Sequence, residues 1–468
     1  MPGYRVFDDL VIADPATPPP TGFTSASIGG AIEAARVAGK PLQVRPGSYS
    51  LSNVDILTTN GAGRGVEVFC QAGTAILALT GGSYGLRIAG QSGMSFRNVI
   101  FDGQNIALPA YSAPNVITAA AGLVILDNAK DTVFRDCSFR NTVKTAGEPS
   151  TGAYKAGLLF VNDSQPSIAG CAFNNVDIAI WAFSSEIVVD GCKVTGARNN
   201  GIAVWGTIGS GGNLSVIRNN TINFVASDYG TGANGNGVAV YLANDVSVTG
   251  NVIMNCDFSA VRINGGSRCV VADNTCWNIR EGCLYYEAPA SGQNGTGVTI
   301  VNNKVDTAGD GVYVTNSGYF GDGTARRAII QGNQISNLSS NAIPASGGIG
   351  PYSTMAIGVT VEQDCVVSSN IVENALGGVK LGVAQGARDL VCDGNLLRQC
   401  GVGIAFSANA AAGKMVIVNN VISGSGGNAI VSAPSIGLTP PLVTYNANLL
   451  SQTVGAGSQI LIAHNRAS

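Results

Sequence analysis

Two stretches of this sequence are one pattern written twice. Ala260-Val261-Arg262-Ile263 matches Gly237-Val238-Ala239-Val240, and Val271 to Asn274 matches Val248 to Asn251, both pairs offset by 23 residues. Within the unit, Val238 and Val240 alternate with Ala239 and Tyr241, the period of two of a strand with one buried face. Asn244-Asp245 and Gly250-Asn251 interrupt the alternation as turns. A 23-residue unit of three short strands without a helix cannot bury its apolar side chains alone. Stacked on its copies it makes a continuous core, so the pattern predicts one coil of a parallel β-solenoid.

The register of the repeat can be tested along the whole chain. Taking Asn251 as a slot and requiring an apolar residue three before it and two after it gives thirteen matches. They are Val99, Cys137, Cys171, Cys192, Asn220, Asn251, Asn274, Asn303, Asn333, Asn370, Asn395, Asn420 and Asn465. Stacked asparagines at a turn can join their amides from coil to coil. Val and Cys in the early coils indicate a slot that points inward and selects small side chains. Thirteen coils at roughly 4.8 Å each would rise about 60 Å.

Composition agrees with many tight turns around an apolar interior: 63 glycines, 45% hydrophobic residues and only 12% charged ones. A net charge of −3 gives no support to nucleic-acid binding. No run approaches the 18 apolar residues of a membrane span. The start, MPGYRVFDD, has neither the basic nor the apolar region of a signal peptide. Most of the eleven cysteines read as small buried hydrophobes. No CxxC pair points to zinc, and a disulfide between stacked Cys137 and Cys171 is a further option. No cofactor is expected. The G-G-x-G-x-D calcium repeat is missing, which leaves Ca2+ possible only on groove carboxylates.

Residues 1–24 read as an N-terminal arm, 25–50 as a capping helix and leading strand, and 51–468 as one β-helix. The helix is expected in SASIGGAIEAARVAGK, with Ser27 as N-cap, Gly39 as stop, and Ile28, Ile32, Ala35 and Val37 as apolar stripe. Turn-rich insertions interrupt the coils at 104–120, 142–155, 207–213, 226–235, 288–296, 317–327, 338–355 and 433–458.

A helix followed by VRPGSY resembles the opening of pectin-lyase-like right-handed parallel β-helix proteins, where the helix caps the solenoid. The segments NNGIAVWG, ANGNGVAVY, DFSAVRIN and the VTGN/VADN/VNN series resemble a bacterial family of twin-arginine-translocated repetitive proteins of unknown activity. That resemblance implies export, hence a periplasmic or extracellular location, although the twin arginine itself is missing and Arg326-Arg327 is internal. The wider superfamily implies polysaccharide chemistry by lyases, hydrolases, epimerases or tailspikes, and fold alone does not choose among them. The Gly-His-Gly element of polygalacturonase-like hydrolases is missing, the one histidine being His464. The pectate-lyase W-x-D-H and R-x-P-x-x-R elements are missing too, since Arg135 to Arg140 lacks the proline.

Chemistry is expected on the outward face of the first strand of each coil. Aligned on Ala179, Gly201, Gly237, Ala260, Gly282, Gly311, Gly358, Gly378 and Gly403, the second and fourth following residues face out. They include Trp181, Trp205, Tyr241, Arg262, Asn264, Tyr286, Tyr313, Thr315, Thr360, Glu362 and Lys380, with Glu287 directly after Tyr286. Rings stacked at about 5 Å per coil suit a sugar chain, and polar neighbours would orient it. We expect Trp181, Trp205, Tyr241, Arg262, Asn264, Tyr286 and Tyr313 to bind a polysaccharide, with Arg262 and Lys380 available to uronate carboxylates. A lyase would use Arg262 with Tyr286, or Lys380 as base. A hydrolase needs two carboxylates, and Glu287 with Glu362 or Asp310 is the expected pair. Glu281 and Asp310 each precede a glycine and read first as turn formers. If an insertion covers this face, the rings are ordinary packing. The alternative function is a non-catalytic surface adhesin or scaffold, favoured by the lack of a recognisable catalytic signature.

Overall fold

In the computed structural model the described residues are 2–57, 65–116, 118–143, 154–206, 213–228, 234–287, 297–316, 327–343, 352–382, 387–407, 413–425, 429–433, 443–445 and 460–468. Most of the expected insertions lie outside them. The chain forms two compact units, Met1–Tyr229 and Gly230–Ser468.

In the second unit each coil adds one strand to each of two parallel ladders. Cys269–Ala272, Val298–Val301, Ala328–Gln331, Cys365–Ser368, Leu390–Asp393, Met415–Val418 and Ile460–Ala463 pair in parallel, one per coil. The other ladder holds long strands such as Thr275–Glu287 and Lys304–Thr315, which pair in parallel with a register shift between Ile279 and Gly282. Alternate residues of these strands point inward and are fully buried, for example Val261, Ile263, Val312 and Val314. This is the parallel β-helix expected from the repeat.

The slot found in the sequence is the corner of the coil. In the second unit the Asn274 amide donates to Asn303 Oδ1 at 2.9 Å and to the Val248 carbonyl at 2.9 Å. The Asn303 amide donates to Asn333 Oδ1 at 3.0 Å and to the Val271 carbonyl at 2.9 Å. The backbone N–H of Asn274 also reaches Asn303 Oδ1, at 3.0 Å. The same links join Asn251 to Asn274, Asn333 to Asn370, Asn370 to Asn395, Asn395 to Asn420 and Asn420 to Asn465. Every amide is buried and satisfied on both sides, which is what makes a buried polar column tolerable.

The residue before the slot carries a second rule, unnoticed in the sequence. At all thirteen positions its φ lies between 54° and 68°, from Asn98 and Asp136 through Asp273 and Gly332 to His464. The left-handed region favours Gly, Asn and Asp, and those residues fill all but two of the thirteen, Ser369 and His464 being the exceptions. His464 is thus a turn residue of the last coil.

The first unit shows the same winding with other fillings. Cys137, Cys171 and Cys192 occupy the slot, and all eleven cysteines of the chain are buried free thiols, so the optional Cys137–Cys171 disulfide is not formed. Inside, Phe101, Phe139 and Phe173 stack coil on coil at centroid distances of 5.0 Å. Helix α1 spans Ile28–Ala38, with Ser27 Oγ accepting from Gly30 N–H and Gly39 ending it at φ 62°. Its buried face is Ile28, Ala31, Ile32, Ala35 and Arg36. Val37, expected in the stripe, is 72% exposed; Ala31 takes its place, three residues after Ile28 and four before Ala35 on the same face. The N-terminal arm is extended as two antiparallel strands, Gly3–Val6 and Val11–Asp14, and the second pairs in parallel with Leu42–Val44.

Candidate functional site

In the first unit the face expected to carry rings is closed. Ile125, Leu159 and Trp181 point outward from neighbouring strands and none is more than 1% exposed. Trp181 packs on Phe183 at 4.9 Å and edge-on to Trp205 at 5.3 Å. Residues of the 104–116 segment reach these strands: Tyr111 donates to Asp127, and Asn115 donates to the Phe183 carbonyl at 3.2 Å. Strands covered on both faces read as continuous apolar runs, which GLLFV and IAIWAF are. Trp181 is therefore packing and not an open sugar platform; Trp205 is half-buried.

The second unit keeps a partly open face, with one correction to the expected register. Val261 pairs with Leu284, Arg262 with Tyr285, Ile263 with Tyr286 and Asn264 with Glu287. Tyr286 consequently points into the core and is 0% exposed, and Tyr285 is the outward ring. The leading residue of that coil is Cys283, which lies 23 positions after Ala260; Gly282, chosen for its size, is one short. Gly282 is small for another reason: a Cβ there would come within 3.2 Å of Tyr313 Cβ.

The outward column so corrected runs Arg262, Tyr285, Tyr313, Thr360, Lys380. Arg262 is half-buried and already engaged. Its Nη2 and Nε donate to Glu287 Oε2 at 2.6 and 3.1 Å, and its Nη1 lies 3.6 Å from Glu281 Oε2. Asn264 Nδ2 adds a third bond to Glu287 Oε2 at 3.1 Å. The guanidinium sits 4.7 Å from the Tyr285 ring centroid, a cation–π contact. Tyr285 meets Tyr313 edge-to-face at 5.2 Å. Of the expected binding residues, Tyr241, Asn264 and Tyr313 are half-buried on this unit's outward side.

Beside the two tyrosines is a cleft of about 180 Å³ lined by Glu281, Gly282, Tyr285, Asp310, Tyr313, Thr354 and Met355. Its two carboxylates are the ones first read as turn formers. Glu281 is 6% and Asp310 7% exposed. Ser259 Oγ donates to Glu281 Oε2 at 2.8 Å. Asp310 Oδ1 accepts from the N–H groups of Ile357 at 2.8 Å and Met355 at 3.2 Å. Burial pushes the Asp310 carboxyl up to about 6, against the pull of those two N–H donors. Burial likewise lowers the Lys380 ammonium, against attraction from Asp310 and Glu362. Glu287, Glu362 and Lys380 are all buried, and none lines the cleft. Among the described residues no group of three metal-ligating side chains occurs, and no helix is long and apolar enough to cross a membrane.

Comparison with known proteins decides the family. The profile of the right-handed β-helix region matches residues 42–222 and 207–354. The chain belongs to the right-handed β-helix family. No curated protein matches the sequence. Among solved structures, this β-helix is similar to the Dettilon tailspike protein, at 15% identity, covering 88% of this chain and 65% of that one, with a TM-score of 0.41. A mannuronic acid specific family 6 polysaccharide lyase from human gut microbiota matches at 11% identity, 84% and 85% coverage and a TM-score of 0.47. The Streptococcus pneumoniae surface adhesin PfbA matches at 13% identity, 94% and 95% coverage and a TM-score of 0.42. At such distances the β-helix matches carry no function across.

Proposed function

We propose that the second unit of this β-helix binds a polysaccharide outside the cytoplasm and hydrolyses it at the Glu281–Asp310 cleft. The observation that supports this is one cleft lined by two buried carboxylates and two tyrosine rings. Sugar rings stack on Tyr285 and Tyr313 while the carboxylates flank the glycosidic bond. Asp310, pushed up to about 6 by burial, carries a proton in mildly acidic solution and gives it to the leaving oxygen there. Glu281, beside the Arg262 guanidinium, takes a proton from the water that attacks the anomeric carbon. Elimination would instead need a cation on a uronate carboxylate. Arg262 is held by Glu287, and neither Arg262 nor Lys380 lines the cleft, which favours hydrolysis.

The second reading, a non-catalytic adhesin or scaffold, draws support from the closed Arg262–Glu287–Asn264 network, which is satisfied without a ligand. A panel of neutral, amino and uronate polysaccharides separates the readings. Hydrolysis releases reducing ends without absorbance at about 235 nm, the band of an unsaturated uronate; Asp310→Asn and Glu281→Gln each slow it by about 100-fold. A signal at that wavelength would reassign the chemistry to elimination. Binding without product would leave the scaffold.

A further inference from the structure

The sequence pointed to uronate recognition, and the charge around the cleft points elsewhere. Six charged side chains of the second unit gather here: Glu281, Glu287, Asp310 and Glu362 against Arg262 and Lys380, two more acids than bases. The nearest base is used within the protein, since Arg262 touches Glu287 at 2.6 Å and Glu281 at 3.6 Å. Asp310 takes its hydrogen bonds from two backbone N–H groups. Among the described residues the cleft is lined by two carboxylates, two tyrosine rings, Gly282, Thr354 and Met355, with no cation in the lining; Lys380 lies outside it, against Met355.

A uronate placed there would bring a third carboxylate against Glu281 and Asp310 in a partly closed space, where like charges repel strongly. A ligand ammonium finds the opposite: carboxylates to pair with, and tyrosine faces for cation–π attraction. A second observation on the same face also points to a ligand. Thr360, next to Tyr313 in the outward column, is 1% exposed, and among the described residues its hydroxyl has no hydrogen-bond partner. Ser407, two coils on, is 5% exposed and its hydroxyl likewise has none. Buried hydroxyls left unpaired are costly, and a polyhydroxylated ligand repairs that.

We propose that the substrate is a polysaccharide of amino sugars, with its ammonium group between Glu281, Asp310 and the rings of Tyr285 and Tyr313, and its hydroxyls reaching Thr360. This rests on the glycan-binding reading of the same cleft. The test compares three oligosaccharides of equal length by calorimetry near pH 7: a glucosamine oligomer, its N-acetylated form, and an oligogalacturonate. Acetylation removes the charge and keeps the ring faces. The amino oligomer should bind about tenfold tighter than the acetylated one, the equivalent of one partly buried ion pair. The oligogalacturonate should bind weakest. Asp310→Asn should remove most of the preference for the amino oligomer. Thr360→Val, close to isosteric, should weaken both alike. Equal binding of the amino and acetylated oligomers, or tightest binding of the uronate, overturns the amino-sugar assignment and leaves the glycan cleft standing. Binding of none overturns both.

Discussion

Asp310 ties the site to the stability of the fold. Its folded-state carboxyl is pushed up to about 6 from 3.8. Between those values the folded protein holds a proton that the unfolded chain has released. Stability contributed by this group is therefore full below about pH 4 and lost as pH rises to about 6. A gap of about two pH units between the folded and unfolded carboxyl corresponds to about 3 kcal/mol. Asp310→Asn has no such loss, so its stability relative to wild type should climb by about that amount from pH 4 to pH 7. Urea denaturation at the two pH values measures it, and a constant difference would show that burial is not what governs this carboxyl. The adjacent pair Tyr285 and Tyr286 makes a second residue-level contrast. Tyr286 fills the core at 0% exposure and Tyr285 lines the cleft. Tyr286→Ala should cost about 3–5 kcal/mol. Tyr285→Ala should change stability far less and weaken oligosaccharide binding instead. The reverse order would restore the register first drawn from Gly282.

At the scale of the element, the corner ladder sets what a substitution costs. Asn303→Ala in the second unit removes the acceptor used by Asn274 N–H and Nδ2, and the donor used by Asn333 Oδ1 and the Val271 carbonyl. Several buried groups lose a partner at once, at about 1–3 kcal/mol for each that stays unsatisfied. We expect a total of about 3 kcal/mol or more and faster hydrogen exchange at the Asn274 amide. An exposed strand substitution such as Val366→Thr, at a position 39% exposed, should fall within about 0.5 kcal/mol. The ladder was legible in the sequence because amide stacking demands one residue type at one spacing. The left-handed residue before it left a softer trace, since Gly, Asn and Asp share the position. The cleft acids left none: a carboxylate before a glycine looks the same whether it makes a turn or lines a cavity. Neighbouring coils leave them only 6–7% exposed.

Across the whole chain, the repeat announced the β-helix, while coil-to-coil details such as the closed face around Trp181 depended on segments whose path a periodic pattern does not encode. The same contrast bears on what holds the molecule together. Acids and bases are few, 29 and 26 in 468 residues, and many pair across adjacent coils at the surface. Arg87 meets Asp55 at 2.8 Å, Arg97 meets Glu67 at 3.0 Å, Arg218 meets Asp190 at 2.9 Å and Arg398 meets Glu373 at 2.8 Å. Exposed pairs of this kind contribute about 0–1 kcal/mol each and are screened by salt. The apolar interior and the buried amide ladder are not. Raising NaCl from about 0.05 to 1 M should then shift the melting temperature by less than about 3 °C. Asn303→Ala should lower it by about 6 °C or more at either salt. Calorimetry on both proteins at both salts measures this directly. A salt shift larger than the mutational one would place the stability of this β-helix in its surface charges and not in the stacked interior of its coils.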